Sequence, residues 1–109
     1  MNSVTLVGRL TEDPVIKETT EGTPRTIIKV AVSRDYRNSD GIYEADFVKC
    51  VLWNGIASAT KEYCKKGDVV GIKGKLQSRV YETENKEKKH VLEVIADKVT
   101  FISSVNKKD

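Results

Sequence analysis

Residues 43–81 read YEADFVKCVLWNGIASATKEYCKKGDVVGIKGKLQSRVY, and this stretch decides the fold because two strand patterns flank one helix pattern. Side chains alternate between two sides of an extended chain over residues 43–53, which predicts a strand. Helical spacing follows at Ile56, Ala59, Tyr63 and Cys64, which predicts a helix that buries this face. Lys65, Lys66 and Gly67 predict the helix end, with cations at its negative pole and a glycine stop. Residues 69–81 alternate again and predict the next strand.

The flanking segments supply three more strands. Residues 4–10 alternate, and residues 15–19 look like a short continuation after the turn at Asp13 and Pro14. Residues 25–34 are rich in β-branched side chains, and the Asn-Ser-Asp-Gly run at 38–41 predicts a hairpin turn after them. Residues 90–102 form the last strand.

The order of these elements predicts the architecture. Residues 82–89 are wholly polar and are predicted to be a long, mobile hairpin loop between the last two strands. Five strands with one short helix between the third and the fourth is the connectivity of an all-β OB-fold barrel. We expect this OB-fold domain to cover residues 1–103 and residues 104–109 to be a short polar tail.

Alternation also predicts which side chains fill the barrel. The two cysteines, Cys50 and Cys64, are expected to be reduced and buried, because they are not spaced as metal ligands and cytosolic thiols of this kind are rarely bridged. The other predicted core positions are Val4, Leu6, Leu10, Ile28, Val30, Val32, Val48, Leu52, Leu92, Val94, Ile95, Val99 and Phe101.

Composition narrows the class of protein. A chain of 109 residues is long enough for one modest core, and a net charge of +3 is only mildly basic, so the placement of charges matters more than their sum. The sequence starts without a signal-peptide pattern and has no apolar run long enough to span a membrane, so we expect a cytoplasmic, nucleoid-associated protein with no membrane partner. His90 is far along the chain from both cysteines, and we expect neither a metal nor another cofactor.

Cations and aromatic rings share one side of the predicted strands. Lys73, Lys75, Arg79 and Tyr81 fall on the same side of residues 73–81. Large rings outside a core need a compensating contact, and nucleobases supply it by stacking while lysine and arginine neutralise phosphates. Bases in a duplex are already stacked on one another, so the pattern favours single strands. The candidate base-stacking residues are Tyr36, Phe47, Trp53 and Tyr81.

The cations of the same surface are candidate phosphate contacts. The cations could instead be ordinary solvent-exposed side chains, because an alternating strand often has a solvated outer face. The rings could instead fill a subunit contact or the barrel, because a bulge shifts the alternation by one residue. The candidate phosphate-binding residues are Arg9, Lys29, Lys49, Lys73, Lys75 and Arg79.

Three stretches of the chain resemble a known family. They are VTLVGRLTEDP at residues 4–14, EADFVKCVLWNGIASATKEYCKKGDVVGIKGKL at 44–76 and EVIADKVTFI at 93–102, and together they resemble the bacterial single-stranded DNA-binding protein (SSB) family over about residues 2–102. The resemblance implies sequence-tolerant binding that coats and protects single-stranded DNA during replication, recombination or repair, and a homotetramer of OB-folds. It also places base-stacking rings at the four candidate positions; several are tryptophan in well-known members, whereas this chain has only Trp53.

The C-terminal residues depart from that family. Members that recruit repair and replication enzymes end in an acidic tip finishing in Pro-Phe, whereas this sequence ends SSVNKKD. We therefore expect either a sequence cut after the barrel or a short paralogue or mobile-element version without the tail. Recruitment of repair proteins through such a tip is not supported.

Other functions remain open at the level of sequence. Within binding, they are an RNA-binding OB-fold and a primosome-assembly relative that acts as a dimer. A small OB-fold nuclease would need carboxylates gathered around a metal, and the acids here are spread over turns and loops, so no enzyme activity is expected. A protein-interaction adaptor would use the rings as a partner surface but would leave the cations unexplained.

Overall fold

The computed structural model of the chain describes residues 1–104. Its elements in chain order are β1 (Val4–Leu10), β2 (Lys17–Glu18), β3 (Pro24–Arg37), β4 (Tyr43–Trp53), α1 (Asn54–Tyr63), β5 (Val69–Glu82) and β6 (Lys88–Ser103). The C-terminal residues 105–109, and with them most of the predicted tail, lie outside the described residues.

Five of the strands close into a barrel. They are paired in the order β1, β5, β6, β4, β3, and a further pairing of β1 with β3 completes the circle. All of these pairs are antiparallel except β4 with β6, which run parallel. With α1 between β4 and β5, the predicted OB-fold is confirmed. The predicted continuation over residues 15–19 is reduced to β2, a two-residue strand that pairs with β3 outside the ring.

The inside of the barrel is filled by alternate side chains of these strands. The predicted positions Leu10, Ile28 and Val30 are buried, and Val4, Leu6, Val32, Val48 and Val99 are partly buried against them. The other buried apolar residues of this cluster are Cys50, Leu52, Ala57, Cys64, Val70, Ile72, Val94 and Ala96. Gly74 allows β5 and β6 to approach closely, because a Cβ atom at this position would collide with the carbonyl oxygen of Ile95.

Both thiols are buried and unbridged, as predicted. Burial raises the pKa of the Cys50 thiol to about 11, and burial together with the nearby Asp68 raises that of Cys64 to about 11. Both groups are therefore neutral thiols at neutral pH.

The helix differs from the prediction in the face that it buries. It packs Ala57 and Thr60 into the barrel, whereas Tyr63 is exposed. Its end also differs, because extended backbone at Cys64 terminates α1 and Gly67, at a φ of 91°, lies in the turn that follows. This turn is fixed by a 2.8 Å hydrogen bond from the Gly67 N–H to the carbonyl oxygen of Leu10.

The predicted long loop over residues 82–89 is wrong in extent. Strands β5 and β6 remain paired as far as Glu82 opposite Lys88, so that residues 83–87 alone connect them. The Thr83 N–H donates to the Glu87 carbonyl oxygen at 2.8 Å and the Lys86 N–H donates to that of Thr83 at 2.9 Å. Polar side chains persist in these strands because a two-stranded ribbon outside the barrel has no core to cover.

Two predicted core residues of the last strand are on the surface. Leu92 and Phe101 are exposed, while Val94 is buried and Ile95 is half-buried. Leu92 lies opposite Ser78 in the part of the β5–β6 ribbon that extends past the barrel. Phe101 contacts the Tyr63 ring at a centroid distance of 5.8 Å. No helix within residues 1–104 has the length and apolar character needed to cross a membrane.

Candidate nucleic-acid interface

Four neighbouring strands, in the order β3, β4, β6 and β5, present one continuous surface away from the core. Directly opposed residues of paired strands share a face, so the pairing register defines its rows. One row joins Lys29 to Lys49 on β3 and β4, and another joins Ile27 to Val51 and then to Ile95 on β6. On β5, Lys75, Gln77, Arg79 and Tyr81 belong to the same surface, opposite Ile95, Glu93, Val91 and Lys89. We call it the outer face.

Three of the four candidate rings lie on the outer face. Phe47 is 64% exposed and Tyr81 is 44% exposed. Trp53 is half-buried at the end of β4, opposite Arg25, whose Cζ atom lies 5.6 Å from the centre of the indole ring. The Arg79 Cζ atom lies 5.9 Å from the centre of the Tyr81 ring. Two of the rings therefore already contact a guanidinium group, which is a favourable cation–π arrangement.

Tyr36, the fourth candidate ring, lies apart from the other three. It is exposed near the end of β3, past a register shift between Ser33 and Arg37. The alternation that places Phe47 and Trp53 on one side of β4 does not extend through such a shift. Tyr36 belongs to the end of the β3–β4 hairpin, residues 32–46, which extends beyond the last β3 residue paired with β1 and is called here the β3–β4 arm.

A buried carboxylate holds two of the candidate cations. Glu93 is only 5% exposed, and its carboxylate receives the Arg79 Nε–H at 3.1 Å and lies 3.3 Å from the Lys49 Nζ atom. The two cations are on different strands, so Glu93 fixes their positions relative to each other. It also offsets one of their two charges, and the trio has a net charge of +1.

Sequence reasoning missed Glu93, although a signal was available. Its register partner is Gln77, a member of the row that contains Lys73, Lys75 and Arg79. An acid between Leu92 and Val94, in an apolar stretch, also stands out.

The remaining candidate cations differ in how much they are engaged. Lys29, Lys73 and Lys75 are exposed and lie more than 4 Å from any acidic group in the part of the chain that the structure describes. Arg9 lies opposite Ala31, which in turn lies opposite Phe47, but the Arg9 Nη1 atom donates to the Gly67 carbonyl oxygen at 2.8 Å. The three lysines are thus the more available phosphate contacts.

A cleft of about 520 Å³ adjoins the outer face beside β2. Four cations line it, namely Lys17, Arg25, Lys29 and Lys49, together with the acids Glu12 and Asp13 and the apolar side chains of Val15, Ile27 and Ile28. Lys17 and Arg25 were not among the candidates from sequence. Because Arg25 also lies over Trp53, the cleft continues the ring-and-cation surface.

The acids considered for a metal site are dispersed in the structure. Asp13 accepts a 2.7 Å hydrogen bond from the Lys66 backbone N–H, and Glu44 pairs with Arg34 at 3.1 Å. Within residues 1–104 there is no group of three histidine, cysteine or acidic residues that could hold a metal ion.

Comparisons with known proteins point to one family. Residues 1–102 match the profile described as "Single-strand binding protein family". The chain is 45% identical over 101 residues to single-stranded DNA-binding protein B of Bacillus subtilis (strain 168), which covers 93% of this chain and 89% of that protein. It is 44% identical over 108 residues to the single-stranded DNA-binding protein of Clostridium tetani, covering 98% and 74% respectively. Identity to that of Bacillus cereus is 42% over 106 residues, covering 97% of this chain but only 62% of the relative.

Proposed function

The chain belongs to the single-strand binding protein family, and from that premise we propose that its outer face binds single-stranded DNA without sequence preference. One observation carries the proposal. Exposed or half-exposed rings, Phe47, Trp53 and Tyr81, share a continuous surface with cations held at neighbouring register positions. The proposed activity is binding without a chemical step, and the names of the relatives likewise describe binding proteins.

Stacking on the rings supplies the affinity for bases. Phe47 and Tyr81 present π faces to solvent, on which any base can stack, at about 1–3 kcal/mol per base, a range that comes from single-strand binding proteins themselves rather than from this structure. Every base has a π face, so this contact does not select a sequence. A duplex hides those faces, which favours the single strand.

The cations supply the contacts to the backbone. Lys29, Lys73 and Lys75 form no ion pair within 4 Å among the described residues, so their charges are available to phosphates. Glu93, on β6, positions Lys49 and Arg79 on the two neighbouring strands that bear the rings. A pre-positioned cation loses less side-chain entropy on binding than a free one.

We also propose a biological role and a location for this mode of binding. We place the protein in the cytoplasm, associated with the nucleoid, where it coats exposed strands and protects them during replication, recombination or repair. We also propose that copies of the chain assemble as a homotetramer. Support for assembly comes from apolar side chains that are exposed in the single chain: Val7, Leu76, Val80 and Leu92.

Replacement of an exposed ring tests the proposed site. Tyr81→Ala should weaken oligo-dT binding about 5- to 150-fold, the equivalent of about 1–3 kcal/mol. Its melting temperature should change little, because the ring is on the surface. Tyr63→Ala removes an exposed ring of α1 that lies off the outer face and should bind DNA as the unmodified chain does. Equal affinity of all three proteins for oligo-dT would contradict the proposed site.

A further inference from the structure

The β3–β4 arm carries a third ring-and-guanidinium pair, which no part of the proposed site uses. Arg37 lies opposite Tyr43 in the pairing of β3 with β4, and its Cζ atom is 5.2 Å from the centre of the tyrosine ring. The ring is 54% exposed and Arg37 is also on the surface. This is the arrangement found at Trp53 with Arg25 and at Tyr81 with Arg79.

Tyr43 falls on the same side of its strand as the rings of the outer face. Strand β4 runs unbroken from Tyr43 to Trp53, and alternation places Tyr43, Phe47 and Trp53 on one side. Phe47 follows Tyr43 by four positions, a distance of about 14 Å along an extended strand. A strand of DNA that follows β4 past Phe47 therefore reaches Tyr43 next.

Glu44 and Asp46 belong to the other side of β4 by the same alternation. Arg34 donates to Asp46 at 2.8 Å and to Glu44 at 3.1 Å, and it holds the pKa of the Asp46 carboxyl below its usual value. Within residues 1–104, no acidic group lies within 4 Å of the Arg37 guanidinium. Its charge therefore remains available to an anion.

The turn at the tip of the arm is held by side-chain hydrogen bonds. The Asn38 Oδ1 atom accepts from the backbone N–H groups of Asp40 at 2.9 Å and Ile42 at 3.0 Å. The Asn38 Nδ2 atom donates to Glu44 at 3.1 Å, which links the turn to the Arg34 network. The pair at Tyr43 is thus presented on an ordered support.

We propose that Tyr43 and Arg37 form an additional subsite for single-stranded DNA on the β3–β4 arm. One base stacks on the exposed tyrosine ring, and the guanidinium group contacts the adjoining phosphate. The inference rests on the proposed function of the outer face and extends its path beyond Phe47. A subunit contact at this position would bury the guanidinium charge without an acidic partner from the arm, whereas a phosphate supplies one.

Oligomer length separates the subsite from the outer face. OB folds occupy about 4–16 nucleotides, so oligo-dT of lengths across that range is titrated against the full chain. Tyr43→Ala should weaken binding of the longer oligomers about 5- to 150-fold and leave the shortest binding oligomer unaffected. Arg37→Gln should make the slope of log K against log[salt] shallower by about 0.7 for the longer oligomers alone.

Two further variants act as controls. Tyr43→Phe keeps the ring and should recover the affinity for the longer oligomers that Tyr43→Ala loses, which assigns the effect to the ring and not to the hydroxyl group. Ile42→Ala removes exposed apolar surface next to Tyr43, keeps the backbone N–H bonded to Asn38, and should not change DNA affinity.

The outcomes distinguish this inference from the proposed function. If the unmodified chain binds oligo-dT and Tyr43→Ala binds each length with the same affinity as the unmodified chain, the subsite is refuted and the proposed function of the outer face is unaffected. Equal weakening at all lengths, or a change in the mass of the DNA-free assembly, also refutes a separate subsite. If the unmodified chain binds no oligomer, the proposed function itself is refuted.

Discussion

Glu93→Gln tests how the buried carboxylate controls the charge of the outer face. The substituted amide would keep the shape of the side chain and an oxygen that accepts the Arg79 Nε–H, now 3.1 Å from the Glu93 carboxylate. The change removes one negative charge, so the trio with Lys49 and Arg79 goes from a net charge of +1 to +2. The two cations retain solvent contact, with side-chain exposures of 31% and 45%, so the variant should fold.

The size of the effect follows from one additional charge. One more phosphate neutralised on a single strand makes the slope of log K against log[salt] steeper by about 0.7. Between about 50 and 200 mM salt, the affinity of the variant should therefore fall about 2.6-fold more than that of the unmodified chain. A phosphate about 4 Å from the additional charge gains about 1 kcal/mol in a water-like dielectric, so affinity at low salt should rise about fivefold.

Titration of oligo-dT at several salt concentrations measures both quantities. Glu62→Gln makes the same chemical change on the exposed surface of α1 and should alter the slope much less. If Glu93→Gln binds with the slope and affinity of Glu62→Gln, Glu93 does not limit the charge available to phosphates. Weaker binding by a stably folded Glu93→Gln would show that the negative charge itself is required to position the cations.

Three further expectations concern stability. Gly74→Ala should lower the melting temperature, because its Cβ would meet the Ile95 carbonyl oxygen, whereas Gly55→Ala in α1 has open space and should be neutral or stabilising by up to about 1 kcal/mol. Burial raises the pKa of Cys50 from 9.0 to about 11, so the stability that comes from its neutral thiol is complete below about pH 9 and is lost as the pH rises through 11. The difference in the free energy of unfolding between the unmodified chain and Cys50→Ala, measured in urea, should therefore shrink from pH 8 to pH 11. Arg34 lowers the pKa of Asp46 from 3.8, so the stability that comes from this pair is present above about pH 4 and is lost as the pH falls through the lowered value. The difference in melting temperature between the unmodified chain and Asp46→Asn should shrink as the pH falls through that range, and a constant difference would contradict this expectation.

Much of the fold could be predicted from sequence because buried and exposed side chains alternate along β1 and the barrel part of β3. The apolar side of residues 25–34 is the side that the barrel buries, with Ile28 and Val30 inside. Alternation does not report where a strand leaves the barrel, and therefore Leu92 was predicted to be buried although it is on the ribbon. The polar segment over residues 82–89 was predicted to be a loop for the same reason, since a ribbon in water needs no apolar face.

The residues of the candidate site could be predicted where a strand alternates without a bulge, and they could not be predicted beyond a register shift. Phe47 and Trp53 are on one side of an unbroken strand, as counting by twos requires, whereas Tyr36 lies past a register shift that the sequence does not reveal. Contacts between strands were also hidden, because the parallel pairing of β4 with β6 is what brings Lys49 to Glu93. Sequence reasoning that looks for rings and cations overlooks the acid between them.

The most direct test of the outer face is the fluorescence of Trp53 during titration with oligo-dT at several salt concentrations. Trp53 is the single tryptophan of the chain, so any change in tryptophan emission reports on this position. We expect strong quenching on binding, with a midpoint that shifts to higher DNA concentration as salt increases, because the bases contact the indole and the cations contact phosphates. Saturated binding by an independent method with unchanged emission, or a midpoint that does not respond to salt, would contradict the ring-and-cation surface as the DNA site.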